Sequence, residues 1–140
     1  MTTNDFIQQC ENSGKFDMWQ MSEIRNGFKQ GLTIEQVKIY ATPKFNDDQM
    51  KQIRLGVQQK LSIEQIEVYA NPKFNWKQME QIRYGFYYNN LTIEQVNIYS
   101  KVQFNDKQMR EARYFIKKNN KDMSDNTLKF IIGLGLHNNY

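Results

Sequence analysis

The chain has 140 residues, a formal net charge of +4 and an aromatic content of 14%. This mildly basic balance permits nucleic-acid binding without arguing for it. The single cysteine, Cys10, excludes an internal disulfide bond and a cysteine-based zinc site, and it fits a reducing compartment. Because no apolar run approaches the roughly 18 residues of a membrane span and the polar N-terminus does not read as a signal peptide, we expect a cytoplasmic protein without membrane contact.

A segment of about 29 residues repeats along the chain, a period typical of stacked supersecondary units. The copies at residues 16–44, 45–73 and 74–103 share, with small departures, the pattern F-N-x-x-Q-M-x-x-I-R-x-G followed by L-S/T-I-E-Q-V/I-x-x-Y. A fourth copy opens at Phe104 and then degenerates. The sequence therefore predicts a repeat architecture.

Each full copy carries the signals of two helices. A Ser, Thr or Asn is followed three residues later by Gln, which is the spacing of a capping box. Apolar residues then recur at helical spacing. We also expect a short helix at residues 4–13, with Asn4 as its N-cap and Gly14 as its stop. The predicted capping pairs are Thr33 with Gln36, Asn46 with Gln49, Ser62 with Gln65, and Thr92 with Gln95.

The predicted fold is all-α, an α-solenoid-like stack of helical hairpins forming one domain over residues 1–140. Gly31, Lys60 and Asn90 separate the two helices of a copy, and Pro43 and Pro72 are expected to end the second helices. Residues 1–15 form an N-terminal cap read as a half-repeat. Three full repeats (16–44, 45–73 and 74–103) follow. A degenerate repeat and C-terminal cap complete the chain at residues 104–140, with Ser124 as an N-cap and Leu128, Phe130 and Ile131 at apolar positions.

Positions that keep the same residue in every copy are expected to serve folding. The recurring Phe, Met and Leu residues are predicted to form the core. A tyrosine recurs once per full copy, at Tyr40, Tyr69 and Tyr99, and we expect three buried rings whose hydroxyls have partners. The core prediction covers Phe16, Phe45, Phe74 and Phe104, Met21, Met50, Met79 and Met109, and Leu32, Leu61 and Leu91.

A row of arginines allows two interpretations. It could meet successive phosphates of a nucleic acid. Alternatively, each arginine pairs with a recurring glutamate or with a helix C-terminal carbonyl of its own or a neighbouring copy. We favour the second interpretation, because charge balance is built into the repeat. The arginines are Arg25, Arg54, Arg83 and Arg113, and the glutamates are Glu35, Glu64 and Glu94.

Variable positions on the first helix of each copy gather aromatic residues in the third copy. Trp76, Tyr84 and Tyr87 fall at i, i+8 and i+11, on one helical stripe, and Tyr88 flanks it. Exposed Trp and Tyr clusters are typical of interface centres. We hypothesise a partner-binding surface, with self-association and plain packing as alternatives. Neighbouring copies are expected to add Leu55 and Tyr114, and Lys117 and Lys118 to provide a basic rim.

Residues that would carry out catalysis or hold a cofactor do not form any recognisable pattern. The only histidine, His137, lies near the C-terminus, and the chain has no P-loop, dinucleotide-binding or metal-ligand motif. We therefore predict a protein that is not an enzyme and has no cofactor and no metal site.

The FNxxQMxxIR and LTIEQV blocks, over residue 16 to about residue 118, resemble short helical-hairpin repeats of proteins from Firmicutes phages and mobile genetic elements. That resemblance implies a small, non-catalytic accessory protein, of a kind that in some cases inhibits host defence systems. The hypothesis that follows is a protein-binding module that occludes a host factor. The alternative is a nucleic-acid-binding repeat protein that uses the arginine row and the basic fourth copy.

Overall fold

A computed structural model describes residues 1–119, and within that range the chain forms eight α-helices and no β-strand. The prediction of an all-α protein is confirmed. Each full copy of the repeat contributes a longer first helix and a shorter second helix. The helices are α1 (Thr3–Ser13), α2 (Met18–Lys29), α3 (Ile34–Lys38), α4 (Asp47–Gln58), α5 (Ile63–Tyr69), α6 (Trp76–Tyr87), α7 (Ile93–Tyr99) and α8 (Asp106–Lys118).

Helix starts follow the capping signals. In α3, α4 and α7 the predicted Thr or Asn is the N-cap, and the Gln three residues later completes a capping box. The same arrangement opens α2, α6 and α8 at Asp17, Asn75 and Asn105. The prediction for α1 was wrong in one detail. Its N-cap is Thr2, not Asn4, because Asp5 pairs with Thr2 to form the box.

The residues that end the helices are only in part those that the sequence predicts. Gly14 and Gly31 take left-handed φ angles of 66° and 88°, as predicted, and Lys60 and Asn90 accept φ angles of 67° and 53°. Pro43, however, does not end α3, which stops at Lys38, five residues earlier. α5 stops at Tyr69, three residues before Pro72, and α7 stops at the equivalent Tyr99 although its copy has no proline.

The chain divides into two compact units, Met1–Ser62 and Ile63–Tyr140. In the first unit, α2 packs against α1, α3 and α4. In the second, α6 packs against α5, α7 and α8, while α7 also packs against α5 and α8. The predictions for Ser124, Leu128, Phe130 and Ile131 lie outside the described residues, and a single domain over residues 1–140 stays a prediction.

Most of the recurring apolar residues lie in the core, as the repeat pattern predicts. All four recurring methionines are buried, as are Phe45, Phe74, Phe104 and Leu91, whereas Phe16, Leu32 and Leu61 are half-buried.

Two of the buried tyrosines, Tyr40 and Tyr99, reach past a glycine. The Tyr40 hydroxyl donates to the Glu23 carbonyl at 2.7 Å, and the Tyr99 hydroxyl donates to the Gln81 carbonyl at 2.9 Å. A Cβ atom at Gly27 or Gly85 would lie 2.1 Å from the tyrosine oxygen. The glycine of the repeat pattern is therefore needed for this close approach of ring and helix.

The capping glutamines also connect successive copies. The Gln20 side chain completes the N-terminal cap of α2, and its Nε2 donates to the Phe45 carbonyl at 2.6 Å. In the second unit, the Gln78 Nε2 donates to the Phe104 carbonyl at 2.7 Å and to the Val102 carbonyl at 3.1 Å. Glutamate could make the cap but could not donate this bond, which explains glutamine at these positions.

Candidate functional site

The C-terminal end of α6 contains a one-residue insertion. In the first two copies the loop closes with a bond from the leucine N–H to the glycine carbonyl five residues earlier, at Leu32 and Leu61. In the third copy the equivalent bond joins Leu91 to Gly85, six residues apart, and the Asn89 N–H bonds the Tyr84 carbonyl. The helix end thus absorbs the extra residue and keeps the same closure.

Three tyrosines pack against one another at this helix end. The ring centroids of Tyr84 and Tyr88 lie 5.0 Å apart, and those of Tyr87 and Tyr88 lie 4.9 Å apart. Both pairs are edge-to-face, with interplanar angles of 72° and 71°, a geometry that aromatic rings favour. Tyr88 nevertheless remains 62% exposed and Tyr87 42% exposed. The packing therefore orders these rings without covering them.

Arg113 joins a fourth tyrosine to this group. Its guanidinium lies 4.6 Å from the Tyr114 ring centroid and 5.5 Å from that of Tyr84. It also donates to the Gln81 amide oxygen at 3.3 and 3.2 Å and to the Asn89 amide oxygen at 2.5 Å. These acceptors and the two rings compensate the burial of the cation. We call Tyr84, Tyr87, Tyr88 and Tyr114 the tyrosine cluster.

The arginine row lies mostly inside the protein. Arg54, Arg83 and Arg113 are 6%, 4% and 5% exposed. Arg54 pairs with Glu23 at 2.8 Å and also bonds Gln58 at 2.5 Å, and Arg83 lies 5.0 Å from the Tyr84 ring centroid. The half-exposed Arg25 pairs with Glu11.

The recurring glutamates are not the partners of these arginines. Glu35, Glu64 and Glu94 are exposed in the first turns of α3, α5 and α7, where a carboxylate favours the positive end of the helix dipole. The partners of Arg54 and Arg113 are instead Glu23 and Gln81, which lie on the first helix of the preceding copy, two residues before its own arginine. The prediction that the recurring glutamates balance the arginines was wrong.

Trp76 lies apart from the C-terminal part of the tyrosine cluster. Trp76 begins α6 and Tyr87 ends it, so a helical rise of 1.5 Å per residue separates their Cα atoms by roughly 16 Å. Trp76 is 38% exposed, and the Lys77 ammonium lies 5.7 Å from its ring centroid. Leu55 is half-buried on α4, in the unit Met1–Ser62.

The basic rim is wider than the sequence predicts. Lys117 and Lys118 are exposed in the last turn of α8, one turn beyond Tyr114. Lys107 and Arg110 are also exposed on this helix. The helical spacing of three or four residues was available in the sequence and would have identified both.

A second exposed apolar pair, Met18 and Trp19, lies in the first turn of α2, with 72% and 60% of each residue exposed. Sequence analysis did not single out Trp19. The other copies have Asp48, Lys77 and Lys107 at the position equivalent to Trp19. Comparison of the copies would therefore have identified Trp19 as an apolar residue at a polar position.

The structure places no cluster of metal-ligating side chains within residues 1–119. No group of three His, Cys, Asp or Glu residues there is placed to hold a metal ion. Burial raises the pKa of the Cys10 thiol, which lowers its thiolate fraction. An open depression of about 380 Å³ beside α1 is lined by Met1, Asp5, Gln8, Gln9 and Asn12, and its one carboxylate, Asp5, already caps the helix.

None of the helices within residues 1–119 has both the length and the apolar character needed to cross a membrane. In comparisons with known proteins, no family model, curated protein or solved structure matches this chain.

Proposed function

We propose that this protein is a non-catalytic protein-binding module whose anchor is the tyrosine cluster. The observation that carries the proposal is a chain of ring contacts that begins at a buried cation. Arg113, held by Gln81 and Asn89, lies against the rings of Tyr84 and Tyr114, and Tyr84 packs against the exposed Tyr88. Ordered rings lose little conformational entropy on binding. Tyrosine and tryptophan are also the residues most enriched among those that dominate binding energy.

The fold proposed for the module is an α-solenoid-like stack of hairpins. Equivalent helices of successive copies pack together within each unit, α2 with α4 in the first and α6 with α8 in the second. The short second helices α5 and α7 do the same. Such repetition is how solenoid proteins build extended binding surfaces.

The resemblance of the repeat to phage and mobile-element proteins suggests the kind of partner. We propose a host factor, such as a component of a defence system, that the module occludes in the cytoplasm. Trp76 extends the contact in this proposal, and Lys117 and Lys118 form its rim.

The nucleic-acid alternative has less support. Phosphate contacts need accessible cations, but Arg54, Arg83 and Arg113 are buried. Arg25, the most accessible of the row, pairs with Glu11.

The proposal is tested with the double variant Tyr88→Ala/Tyr114→Ala, used as bait in a host-cell lysate with and without nuclease. The wild type is expected to retain a protein after nuclease, and the variant to bind it at least about 30-fold more weakly, because central anchors contribute roughly 2 kcal/mol or more. Met18→Ala/Trp19→Ala is the control, since it removes exposed apolar area from α2.

Three results would contradict the proposal. They are equal binding by both variants, recovery of nucleic acid alone, or a dimer mass in light scattering that reverts to monomer in the Tyr88/Tyr114 variant.

A further inference from the structure

The face of α8 that carries Tyr114 is basic. Lys107 and Lys118 lie seven residues before and four residues after Tyr114, which places all three on one side of the helix. Arg110 and Lys117 border the same side, and all four cations are exposed. Glu111 is the one exposed acid on this helix.

These cations form no ion pair within the described part of the chain. The two ion pairs found there, Arg25 with Glu11 and Arg54 with Glu23, both lie in the unit Met1–Ser62. The four cations of α8 make none within residues 1–119.

Two further positive charges lie behind the rings. The Arg83 and Arg113 guanidiniums are 5.0 and 5.5 Å from the Tyr84 ring centroid, where water screens them less than it screens surface charges. The exposed residues Tyr87, Tyr88 and Tyr114 carry hydroxyl groups, which can donate to carboxylates. This surface therefore combines aromatic area, hydroxyl donors and positive potential, which complements an acidic partner.

The ring geometry favours protein over nucleic acid as that partner. Stacking of bases needs open ring faces along the path of a strand. Tyr84, Tyr87 and Tyr88 instead meet edge-to-face, and guanidiniums lie over the rings of Tyr84 and Tyr114.

Building on the protein-binding function, we infer that the partner presents an acidic segment to this surface. Its carboxylates meet Lys107, Arg110, Lys117 and Lys118, and an adjoining apolar side chain packs on the tyrosine cluster.

The test is selection of linear peptides from a random displayed library on the full-length protein, followed by affinity measurement on a selected peptide. We expect Asp and Glu to be enriched about twofold or more over the unselected library, and Lys107→Gln/Lys117→Gln/Lys118→Gln to weaken binding about tenfold. The matched control is Lys15→Gln/Lys29→Gln/Lys51→Gln, which changes the net charge equally through exposed lysines of the other unit. It should leave the affinity unchanged.

The possible outcomes distinguish failure of the acidic-partner inference from failure of the protein-binding function. Peptides that are lost with Tyr88→Ala/Tyr114→Ala but show no acidic bias would overturn this inference and leave the protein-binding function standing. Failure to select any peptide above an unrelated protein, or equal binding by the tyrosine variant, would overturn both. Single-stranded oligothymidine that binds and displaces the peptides would assign the surface to nucleic acid instead.

Discussion

A single amide group at the start of α6 does two things at once. The Gln78 oxygen accepts the Asn75 N–H at 2.9 Å, and the Gln78 nitrogen donates to the carbonyls of Phe104 and Val102. Gln20 repeats this arrangement in the first unit, with the Phe45 carbonyl as its acceptor. A residue that looks in sequence like an ordinary helix cap is also a hydrogen-bonded bridge to the next copy.

We therefore expect Gln78→Glu to lower the free energy of unfolding by about 2 kcal/mol, because the buried carbonyls lose their donor and face a carboxylate. Gln36→Glu is the matched control, since Gln36 caps α3 with the same geometry and its amide nitrogen makes no further bond in the described chain. Urea denaturation followed by circular dichroism measures both. Equal destabilisation by the two substitutions would mean that only capping matters.

At the scale of the element, a glycine on one helix and a tyrosine on the next form a matched pair. Gly85 leaves room for the Tyr99 hydroxyl to reach the Gln81 carbonyl, and Gly27 does so for Tyr40. The fourth copy changes both members together, since Phe115 stands at the glycine position and Ile131 at that of the tyrosine.

Gly85→Ala should destabilise the protein by about 2 kcal/mol, since the new Cβ would lie 2.1 Å from the Tyr99 oxygen. Tyr99→Phe removes that oxygen and leaves contacts of 3.3 Å, so the double variant should be more stable than the sum of the single variants predicts. Urea midpoints of the four proteins of this cycle give the coupling. Additive effects would show that the hydroxyl is not the obstacle.

The sequence predicted where helices begin better than it predicted which residues of different copies pair with each other. Capping pairs and apolar spacing place the starts of α3, α4 and α7 because these signals act within a few residues of chain. The partners of Arg54 and Arg113 come from another copy, 31 or 32 positions away, and no local pattern specifies them. The tyrosine cluster was predictable only in part. Its residues stood out by comparison of the copies, whereas its separation from Trp76 follows from the length of α6.

At the scale of the whole molecule, three buried phenols link stability to pH. Burial raises the pKa of Tyr40, Tyr69 and Tyr99, and the nearby Arg54, Arg83 and Arg113 offset this rise only in part. A tyrosine in the unfolded chain ionises near pH 10. The contribution of the buried tyrosines to the free energy of unfolding is therefore complete below that pH and declines above it.

Unfolding free energy should therefore fall by roughly 1 kcal/mol per pH unit for each of these tyrosines above about pH 10. Urea midpoints between neutral and strongly alkaline pH measure the slope. Tyr99→Phe should make the slope shallower, and Tyr88→Phe, at an exposed position, should not. The same slope in both variants would assign alkaline unfolding to other groups.

The insertion at the end of α6 has a consequence for engineering. The segment between Gly85 and Leu91 is one residue longer than its counterparts, yet Leu91 still closes on the Gly85 carbonyl and remains buried. The length of this segment can therefore change without loss of the closure on Gly85. Tyr87 and Tyr88 are exposed and are the place for randomised libraries, with Asn89 kept as the acceptor of Arg113 and Asn90 kept at its positive φ, so that new specificities are evolved on an unchanged scaffold.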